Sequence, residues 1–312
     1  MKQVAFMFPG QGSQTVGMGK EIYDQYPEIK EIYQRANEVL DKDITKIMFE
    51  GPKELLTETE HAQPALLLSS AAIVRLLENE NILPTITVGH SLGEYSALVS
   101  AQVLTLDEAL PLVAERGRLM EAAYPKGQGT MAAVLGLDEE TVYHSLAQIK
   151  DEVVDIANLN CPGQIVISGS RVGVELATPL LKAAGAKRIL PLNVSGPFHS
   201  RLMKQANEKF SLSLDRIKFQ NANVPLYANV TAEPVTNKED IRELLIKQLY
   251  SPVQFEKSIE RMIETGIDAF VEVGTGKVLC GLVRKINRKI KTFAVQDVDS
   301  LHAFMNWYKG SE

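Results

Sequence analysis

A serine enclosed by glycines is the feature of this sequence best suited to covalent chemistry. Ser91 stands in Gly-His-Ser-Leu-Gly at positions 89–93, directly after an apolar run and before a stretch rich in small residues. This order is typical of a nucleophile elbow, in which a tight strand-to-helix turn exposes the serine and glycines permit close backbone approach. The sequence therefore predicts a serine nucleophile. The alternative is an ordinary strand–helix turn that carries an incidental serine.

A serine nucleophile requires a base, and an imidazole with an ordinary pKa of about 6.5 can take and return a proton near neutral pH. His199 lies in Ser-Gly-Pro-Phe-His-Ser, an irregular segment of the kind that can overhang a site. His90 is adjacent to the serine and is expected to point away from it, while His144 and His302 lie in a helical and a charged segment. His199 is thus the candidate base, with a structural hydrogen bond as the alternative role.

Acyl transfer also needs donors for the developing oxyanion, and backbone N–H groups are a common source. Leu92, which follows the nucleophile, is one candidate donor. The glycine-rich loop Phe-Pro-Gly-Gln-Gly-Ser-Gln at positions 8–14 offers a second through Gln11. This loop lacks the glycine spacing of a nucleotide-phosphate motif, and Gly274–Lys277 lacks the Ser or Thr that must follow such a motif. Neither loop is expected to bind phosphate.

The elements that position these residues alternate between short apolar runs and longer segments with helical periodicity. This alternation is typical of an α/β protein built around a largely parallel sheet. The expected covering helices are Pro64–Glu80, Asp107–Ala123 and Gln254–Thr265. The expected strands are Val4–Phe8, Ile86–Val88, Val224–Asn229, Ala269–Val273 and Thr292–Val295.

Residues 127–196 follow a different pattern, in which strands and helices are expected in the order βαββαβ of a ferredoxin-like unit. We therefore expect a small domain at 127–196, inserted into a larger domain formed by 1–126 and 197–312. Its expected elements are the strands Met131–Leu137, Val153–Ala157, Gln164–Ser168 and Arg188–Leu192 and the helices Asp138–Ile149 and Val172–Ala184.

Composition narrows the possible functions. The 312 residues are 45% hydrophobic and 23% charged, which is ordinary for a globular protein of about two domains. A net charge of −6 disfavours binding to nucleic acid or to an anionic membrane. Cys161 and Cys280 lack the spacing of a zinc site or a disulfide framework. Because the first apolar run is too short for a signal peptide or a membrane span, a cytoplasmic protein is expected.

Six segments occur in the order found in the malonyl-CoA:acyl carrier protein transacylases, and the sequence resembles that family over nearly its whole length. They are FPGQGSQ, GHSLGEYSAL, ERGRLM, NCPGQIVISG, SGPFHS and QLYSPVQF. The resemblance implies an α/β-hydrolase-like large domain that carries a ferredoxin-like small domain. One departure is Thr275, where relatives commonly have proline, and it bears on no catalytic role.

The resemblance also implies roles for the candidate residues. Ser91 would carry the malonyl group, and His199 would act as base and then as acid. The backbone N–H groups of Gln11 and Leu92 would bind the oxyanion. Arg116 would bind the free carboxylate of the malonyl group, a role for which a guanidinium fork is well suited. Without the resemblance, Arg116 would be one more cation on a helix face.

Three further positions follow from the same resemblance. A carbonyl oxygen of Gln248 is implied to orient the histidine, in place of the acid of a catalytic triad. Gln248 is also expected to be one of the substrate-binding residues. Asn158 and Asn160 correspond to family residues at the edge of the substrate cleft. Their alternative role is that of ordinary turn asparagines.

The implied reaction is a ping-pong transfer from malonyl-CoA to acyl carrier protein for fatty acid biosynthesis, with no metal or redox cofactor. Nothing in the sequence requires an oligomer, so a monomer is expected. Because the carrier protein is acidic in this family, a basic face is expected to receive it, with a solvated charged surface as the alternative. One candidate is a helix after Gly281, with Leu282, Ile286 and Ile290 on its apolar side and with Arg284, Lys285, Arg288 and Lys289 facing outward. The other candidate is the basic group of Lys182, Lys187 and Arg188 in the small domain.

Two other function classes stay open at this point. A serine hydrolase such as a thioesterase would share Ser91 and His199, although that class usually places an acid between the serine and a late histidine. A non-catalytic module that binds CoA or a carrier protein would hold an idle serine. Acylation of Ser91 at neutral pH distinguishes the last class from the enzymes.

Overall fold

The computed structural model describes residues 2–310, in which two β-sheets are covered by α-helices. The strands are β1 (Val4–Phe8), β2 (Ile86–Gly89), β3 (Gly129–Leu135), β4 (Val154–Cys161), β5 (Gln164–Ser170), β6 (Arg188–Pro191), β7 (Leu226–Tyr227), β8 (Pro234–Val235), β9 (Ala269–Val273) and β10 (Lys291–Val295).

The helices follow the same numbering along the chain, and a short 3₁₀ helix covers Arg201–Met203. None of the helices in residues 2–310 is both long enough and apolar enough to cross a membrane. They are α1 (Lys20–Gln25), α2 (Pro27–Leu40), α3 (Ile44–Glu50), α4 (Lys53–Thr57), α5 (Thr59–Asn79), α6 (Gly93–Ser100), α7 (Leu106–Ala122), α8 (Glu139–Leu146), α9 (Arg171–Ala183), α10 (Lys204–Leu214), α11 (Lys238–Gln248), α12 (Phe255–Glu264), α13 (Val278–Ile286) and α14 (Val298–Lys309).

The larger sheet has the strand order β10-β9-β1-β2-β7-β8, and all neighbours run parallel except β7 and β8. Parallel strands covered on both faces form nearly continuous apolar runs, because neither face meets water. In β1, Phe6 and Phe8 join one apolar core, whereas Ala5 and Met7 join a second core. This arrangement confirms the predicted α/β architecture with a mostly parallel sheet.

The smaller sheet is antiparallel, with the strand order β4-β5-β3-β6. Helices α8 and α9 pack against it around an apolar core of their own. The order and the pairing confirm the predicted βαββαβ unit. The division into a small domain at 127–196 and a large domain at 1–126 and 197–312 stays a prediction, and its outermost residues 1, 311 and 312 lie outside the described part.

Several strands end elsewhere than predicted, and two of these differences affect the site. β4 continues beyond Ala157 because β5 pairs with it as far as Cys161, so Asn158 and Asn160 are strand residues rather than turn asparagines. β7 is shorter than the predicted Val224–Asn229. Its ladder stops early because the chain turns back after Tyr227 to form β8.

The helix that carries the predicted basic face also differs from its expected position. α13 begins at Val278, before Gly281, and ends at Ile286 because Asn287 adopts an extended backbone conformation. Ile290 therefore does not belong to its apolar side. The three predicted covering helices are present as α5, α7 and α12, with α5 starting earlier than expected, at Thr59.

The parallel pairing of β1 and β2 brings the two glycine-containing loops together. Phe8 is paired with Gly89, so the loops at 9–14 and 90–93 leave the same edge of the sheet. A Cβ on Gly93 would lie 2.0 Å from the carbonyl oxygen of Phe8, and a Cβ on Gly89 would lie 1.8 Å from the carbonyl carbon of Gly93. Any side chain at these positions would push the turn away from the sheet.

Gly93→Ala is therefore expected to destabilise the protein by about 3 kcal/mol, because its methyl group would overlap backbone atoms that are held in the sheet. Urea unfolding measures this change. The matched control is Gly281→Ala, since a Cβ at this helical position meets no atom within 4 Å. The control is expected to be neutral or to stabilise by up to about 1 kcal/mol. Equal unfolding midpoints for the two variants would contradict the steric argument.

Candidate active site

The elbow places the hydroxyl group of Ser91 against the imidazole of His199. Ser91 has a positive φ of 53°, as a strained turn requires, and its Oγ lies 2.7 Å from Nε2 of His199. The other ring nitrogen, Nδ1, lies 3.0 Å from the backbone carbonyl oxygen of Gln248. Because a carbonyl only accepts, Nδ1 carries the proton and Nε2 can accept one from the serine.

The surroundings keep His199 neutral. Its side chain is buried, and this burial together with the nearby charge of Arg116 lowers its pKa to about 3. The acceptor for its Nδ1 proton is the uncharged carbonyl group of Gln248, in place of a triad carboxylate. At neutral pH the ring is thus in the form that accepts a proton from Ser91.

The side chain of Asn229 braces the elbow. Its Oδ1 accepts a hydrogen bond from the backbone N–H of Ser91 at 2.8 Å, and its Nδ2 donates to the carbonyl of Gly89 at 2.6 Å. These two bonds fasten both sides of the strained turn to the chain that follows β7. They also occupy the N–H of Ser91, so this group is not available to an oxyanion.

The backbone N–H groups of Leu92 and Gln11 have no hydrogen-bond partner within residues 2–310. Both belong to the loops at the shared edge of the sheet. The close approach of these loops depends on Gly10, since a Cβ there would lie 2.4 Å from the carbonyl oxygen of His90. The arrangement agrees with the predicted oxyanion donors, whose role stays a prediction.

Arg116 projects from α7 into the interior beneath the nucleophile. Its side chain is fully buried, and its Nη2 donates to Oγ of Ser91 at 3.2 Å. The remaining acceptors are uncharged amides, with Nη1 2.8 Å from Oε1 of Gln63 and Nη2 2.9 Å from Oε1 of Gln248. Arg118, two positions along the helix, is instead exposed and lies 3.6 Å from Glu115. Burial therefore separates the two arginines of this segment.

Gln248 contributes two different groups to the site. Its backbone carbonyl orients His199, in agreement with the resemblance. Its side chain is fully buried and lies beneath the cavity rather than at its surface, where it bonds to Arg116 and to the carbonyl of Ser91. Gln248 is predicted to bind substrate, and the structure places its side chain against Arg116, which it supports.

A cavity of about 250 Å³ opens above Ser91 and His199. Asn158 and Asn160 from β4 line one wall, and Gln11 lines another. His90 also faces this cavity, with its Nε2 2.8 Å from Oδ1 of Asn160. The ring of His90 turns toward β4, and the hydroxyl group of Ser91 contacts His199 instead. Apolar side chains complete the lining, among them Met120, Met131, Val166, Phe198 and Leu279.

A serine, a neutral histidine, two vacant N–H groups and a buried arginine are a set suited to transfer of a carboxylated acyl group. Comparison with known families gives a match to the acyl transferase domain over residues 5–302. The chain belongs to the acyl transferase family.

Close relatives of this acyl transferase are named for one activity, the transfer of a malonyl group. The malonyl CoA-acyl carrier protein transacylase of Bacillus subtilis (strain 168) is 51% identical over 96% of both chains. The acyl carrier protein S-malonyltransferase of Vibrio cholerae has a structure with a TM-score of 0.95 and 43% identity, covering 97% of this chain and 100% of its own. A malonyl-transacylase solved with its type II polyketide synthase acyl-carrier protein has a TM-score of 0.95 and 39% identity, with 98% and 99% coverage.

Sequence reasoning missed two residues of the acyl transferase site, Gln63 and Asn229. Gln63 is a polar residue within an otherwise apolar stretch of α5, and it is buried. A polar residue at a position where the pattern predicts burial is the signal that could have identified it. Asn229 is the last residue of the strand predicted at 224–229, next to the strand that leads to the elbow. Neither signal says which partner the side chain binds, since Gln63 meets Arg116 and Asn229 meets Ser91 through long-range packing.

One group within the described residues has the donor types of a metal site, Glu58, Glu60 and His61. The ammonium group of Lys42 lies 2.7 Å from Nε2 of His61 and 3.3 Å from Oε1 of Glu60. A cation of the chain itself thus balances the carboxylates. The group lies outside the lining of the cavity and contributes nothing to the chemistry at Ser91.

Proposed function

We propose that this acyl transferase moves a malonyl group from malonyl-CoA to the phosphopantetheine thiol of acyl carrier protein through a malonyl-Ser91 intermediate. The observation that supports this proposal best is the guanidinium of Arg116, which lies 3.2 Å from the Oγ of Ser91. An acyl group on that oxygen brings its distal carboxylate within reach of a buried cation. The proposal agrees with the activity for which relatives such as the Bacillus subtilis enzyme are named.

In the first half-reaction, Oγ of Ser91 attacks the thioester carbonyl and its proton passes to Nε2 of His199. The carbonyl oxygen becomes an oxyanion, which the N–H groups of Leu92 and Gln11 stabilise. The C–S bond then breaks, and coenzyme A leaves as a thiol after taking the proton from His199. The carrier thiol reverses these steps, so that the serine regains its proton and the malonyl group leaves on the carrier.

The carbonyl partner of His199 suits transfer to a thiol. A carboxylate in that position would stabilise the imidazolium form strongly and would favour activation of water. The carbonyl of Gln248 orients the ring with less charge stabilisation. A thiol ionises more readily than water, and so it needs less help from the base.

We propose that Arg116 gives the enzyme its preference for a carboxylated acyl group. A carboxylate accepts two parallel hydrogen bonds from a guanidinium fork, and charged acceptors bind roughly twice as strongly as neutral ones. The malonyl carboxylate would therefore replace the amide oxygens of Gln63 and Gln248. An acetyl group has no carboxylate, so it cannot replace these amide oxygens with a charged acceptor.

We further propose that the acidic carrier protein docks on the basic side of α13. Val278, Leu279 and Leu282 of this helix line the cavity that holds Ser91. The exposed Arg284 and Lys285 on the same helix thus lie beside the cavity, and Lys285 donates to Gln164 in its wall at 3.0 Å. The other basic group, Lys182, Lys187 and Arg188, contributes no residue to the cavity. A monomeric state and a cytoplasmic location stay predictions.

The central test mixes the protein with malonyl-CoA, quenches in acid, and locates any adduct by intact mass and peptide mapping. We expect one malonyl adduct on Ser91 that moves to carrier protein bearing its phosphopantetheine. Ser91→Ala is expected to form no adduct. An adduct lost to water without transfer would indicate a hydrolase, and no adduct would indicate a binding module.

Arg116→Ala is expected to lower kcat/KM for malonyl transfer by about 100-fold, the usual order for removing one partner of a buried charge pair. Transfer of an acetyl group should fall by less than about tenfold, because it makes no charged contact. Rates of Ser91 acylation with the two CoA thioesters measure the difference. Arg118→Ala is the matched control and should change neither rate. Equal losses for both acyl groups in Arg116→Ala would refute the carboxylate contact.

The docking proposal predicts that Arg284→Glu combined with Lys285→Glu raises KM for the carrier protein by about tenfold at low salt, with a smaller effect at high salt. Acylation by a malonyl thioester that lacks the nucleotide should change little. The matched control is Lys182→Glu combined with Arg188→Glu. If only the control pair weakens carrier transfer, the carrier docks on the smaller sheet instead.

A further inference from the structure

Glu94 is a buried carboxylate that takes no part in the acyl-transfer steps. It lies on α6 just after the nucleophile and is 2% exposed. Its Oε2 accepts a hydrogen bond from Nε2 of Gln248 at 2.7 Å and another from the backbone N–H of Asn229 at 3.3 Å. Glu94 therefore contacts both the residue that supports Arg116 and the residue that braces the elbow.

The amide of Gln248 connects Glu94 to Arg116. Its NH₂ group points to the carboxylate and its oxygen accepts from Nη2 of Arg116 at 2.9 Å. A carboxylate only accepts and a guanidinium only donates, so the two charges together determine which way this amide faces. Reversing the amide would place donor against donor at Arg116. Glu94 thus orients the group that holds the guanidinium beside Ser91.

The charges around this pair leave Glu94 as the counter-charge of Arg116. Burial raises the pKa of Tyr95, which lies beside the guanidinium, and lowers the pKa of His199 and of His90, so all three stay neutral near pH 7. Burial also raises the pKa of Glu94 to about 7, although its hydrogen bonds and the charge of Arg116 oppose this shift. Small changes near Arg116 therefore alter the charge of Glu94.

We propose that Glu94 is a positioning residue for selectivity, which balances Arg116 in the free site and takes up a proton when the substrate carboxylate binds Arg116. The bond that forms is O–H on Glu94, and the proton comes from solvent. The inference rests on the proposed role of Arg116 in holding a malonyl carboxylate. At pH values above about 7, where Glu94 is ionised in the free site, the exchange leaves the site with one negative charge both before and after a carboxylated acyl group enters.

The sign of the expected pH dependence follows from the local charges. In the free site burial raises the pKa of Glu94 to about 7, and the charge of Arg116 is one of the influences that keep it from rising further. A bound malonyl carboxylate cancels this effect and adds a second negative charge, so the pKa of Glu94 rises above 7 in the acyl complex. Binding of malonyl therefore takes up a proton and weakens as the pH rises above about 7. An acetyl group brings no charge, so its binding takes up no proton.

The test measures kcat/KM for acylation of Ser91 from pH 6 to 9 with malonyl and acetyl thioesters of N-acetylcysteamine, which carry no phosphate. The ratio of malonyl to acetyl is expected to fall above pH 7, with a slope approaching about tenfold per pH unit. Glu94→Gln keeps an acceptor oxygen for Gln248 and should make the ratio independent of pH. Glu272→Gln removes another buried carboxylate, one that caps α13, and should keep the wild-type slope.

A flat ratio in the wild-type enzyme, or an unchanged slope in Glu94→Gln, would overturn the inference. If Glu94→Gln does not fold, calorimetry of the wild-type enzyme in buffers of different ionisation enthalpy decides the matter. Acylation near pH 7 should then take up protons with the malonyl thioester and none with the acetyl thioester, and equal uptake would overturn the inference. Failure of the proposed function looks different, because no malonyl adduct would form on Ser91 at any pH.

Discussion

The close packing of the turn after β2 against the end of β1 is the constraint on which the site depends. Gly89 and Gly93 permit it, since a Cβ on either would overlap backbone atoms. The turn then holds Ser91 at positive φ, and it leaves the N–H of Leu92 without a partner in residues 2–310. Strain of this kind persists only where the surroundings support it, and here Asn229 supplies that support.

The ionisable side chains of the site, Arg116 and His199, are hydrogen-bonded mainly to uncharged groups. Arg116 is bound by two side-chain amides, and His199 is oriented by a backbone carbonyl. An arginine already paired with a carboxylate would gain little from a second one, because one charged acceptor would merely replace another. The amide partners hold the guanidinium in place, and a carboxylate that replaced them would bind it more strongly. The nearest counter-charge, on Glu94, acts through Gln248 rather than by direct contact.

The two sheets make different contributions to the cavity. The larger sheet carries the nucleophile and the oxyanion donors on loops at one edge, which is the usual location of sites in parallel α/β folds. The smaller sheet supplies a wall through Asn158 and Asn160, and the chain leaving it leads to His199. The base therefore reaches the serine on the segment that follows the smaller sheet in the chain. The 2.7 Å contact between them joins segments 108 residues apart.

The sequence by itself determined the local features of this protein. Apolar periodicity and glycine spacing predicted the parallel sheet, the βαββαβ unit and the elbow at Ser91, because each is encoded by neighbouring residues. Tertiary structure alone decided that Arg116 is buried while Arg118 is exposed, and that Asn160 lies in a strand facing His90. It also selected the partners of Arg116 from helices far apart in the chain. Such contacts leave no periodic signal, since an amide or a carboxylate finds its partner only when distant elements pack together.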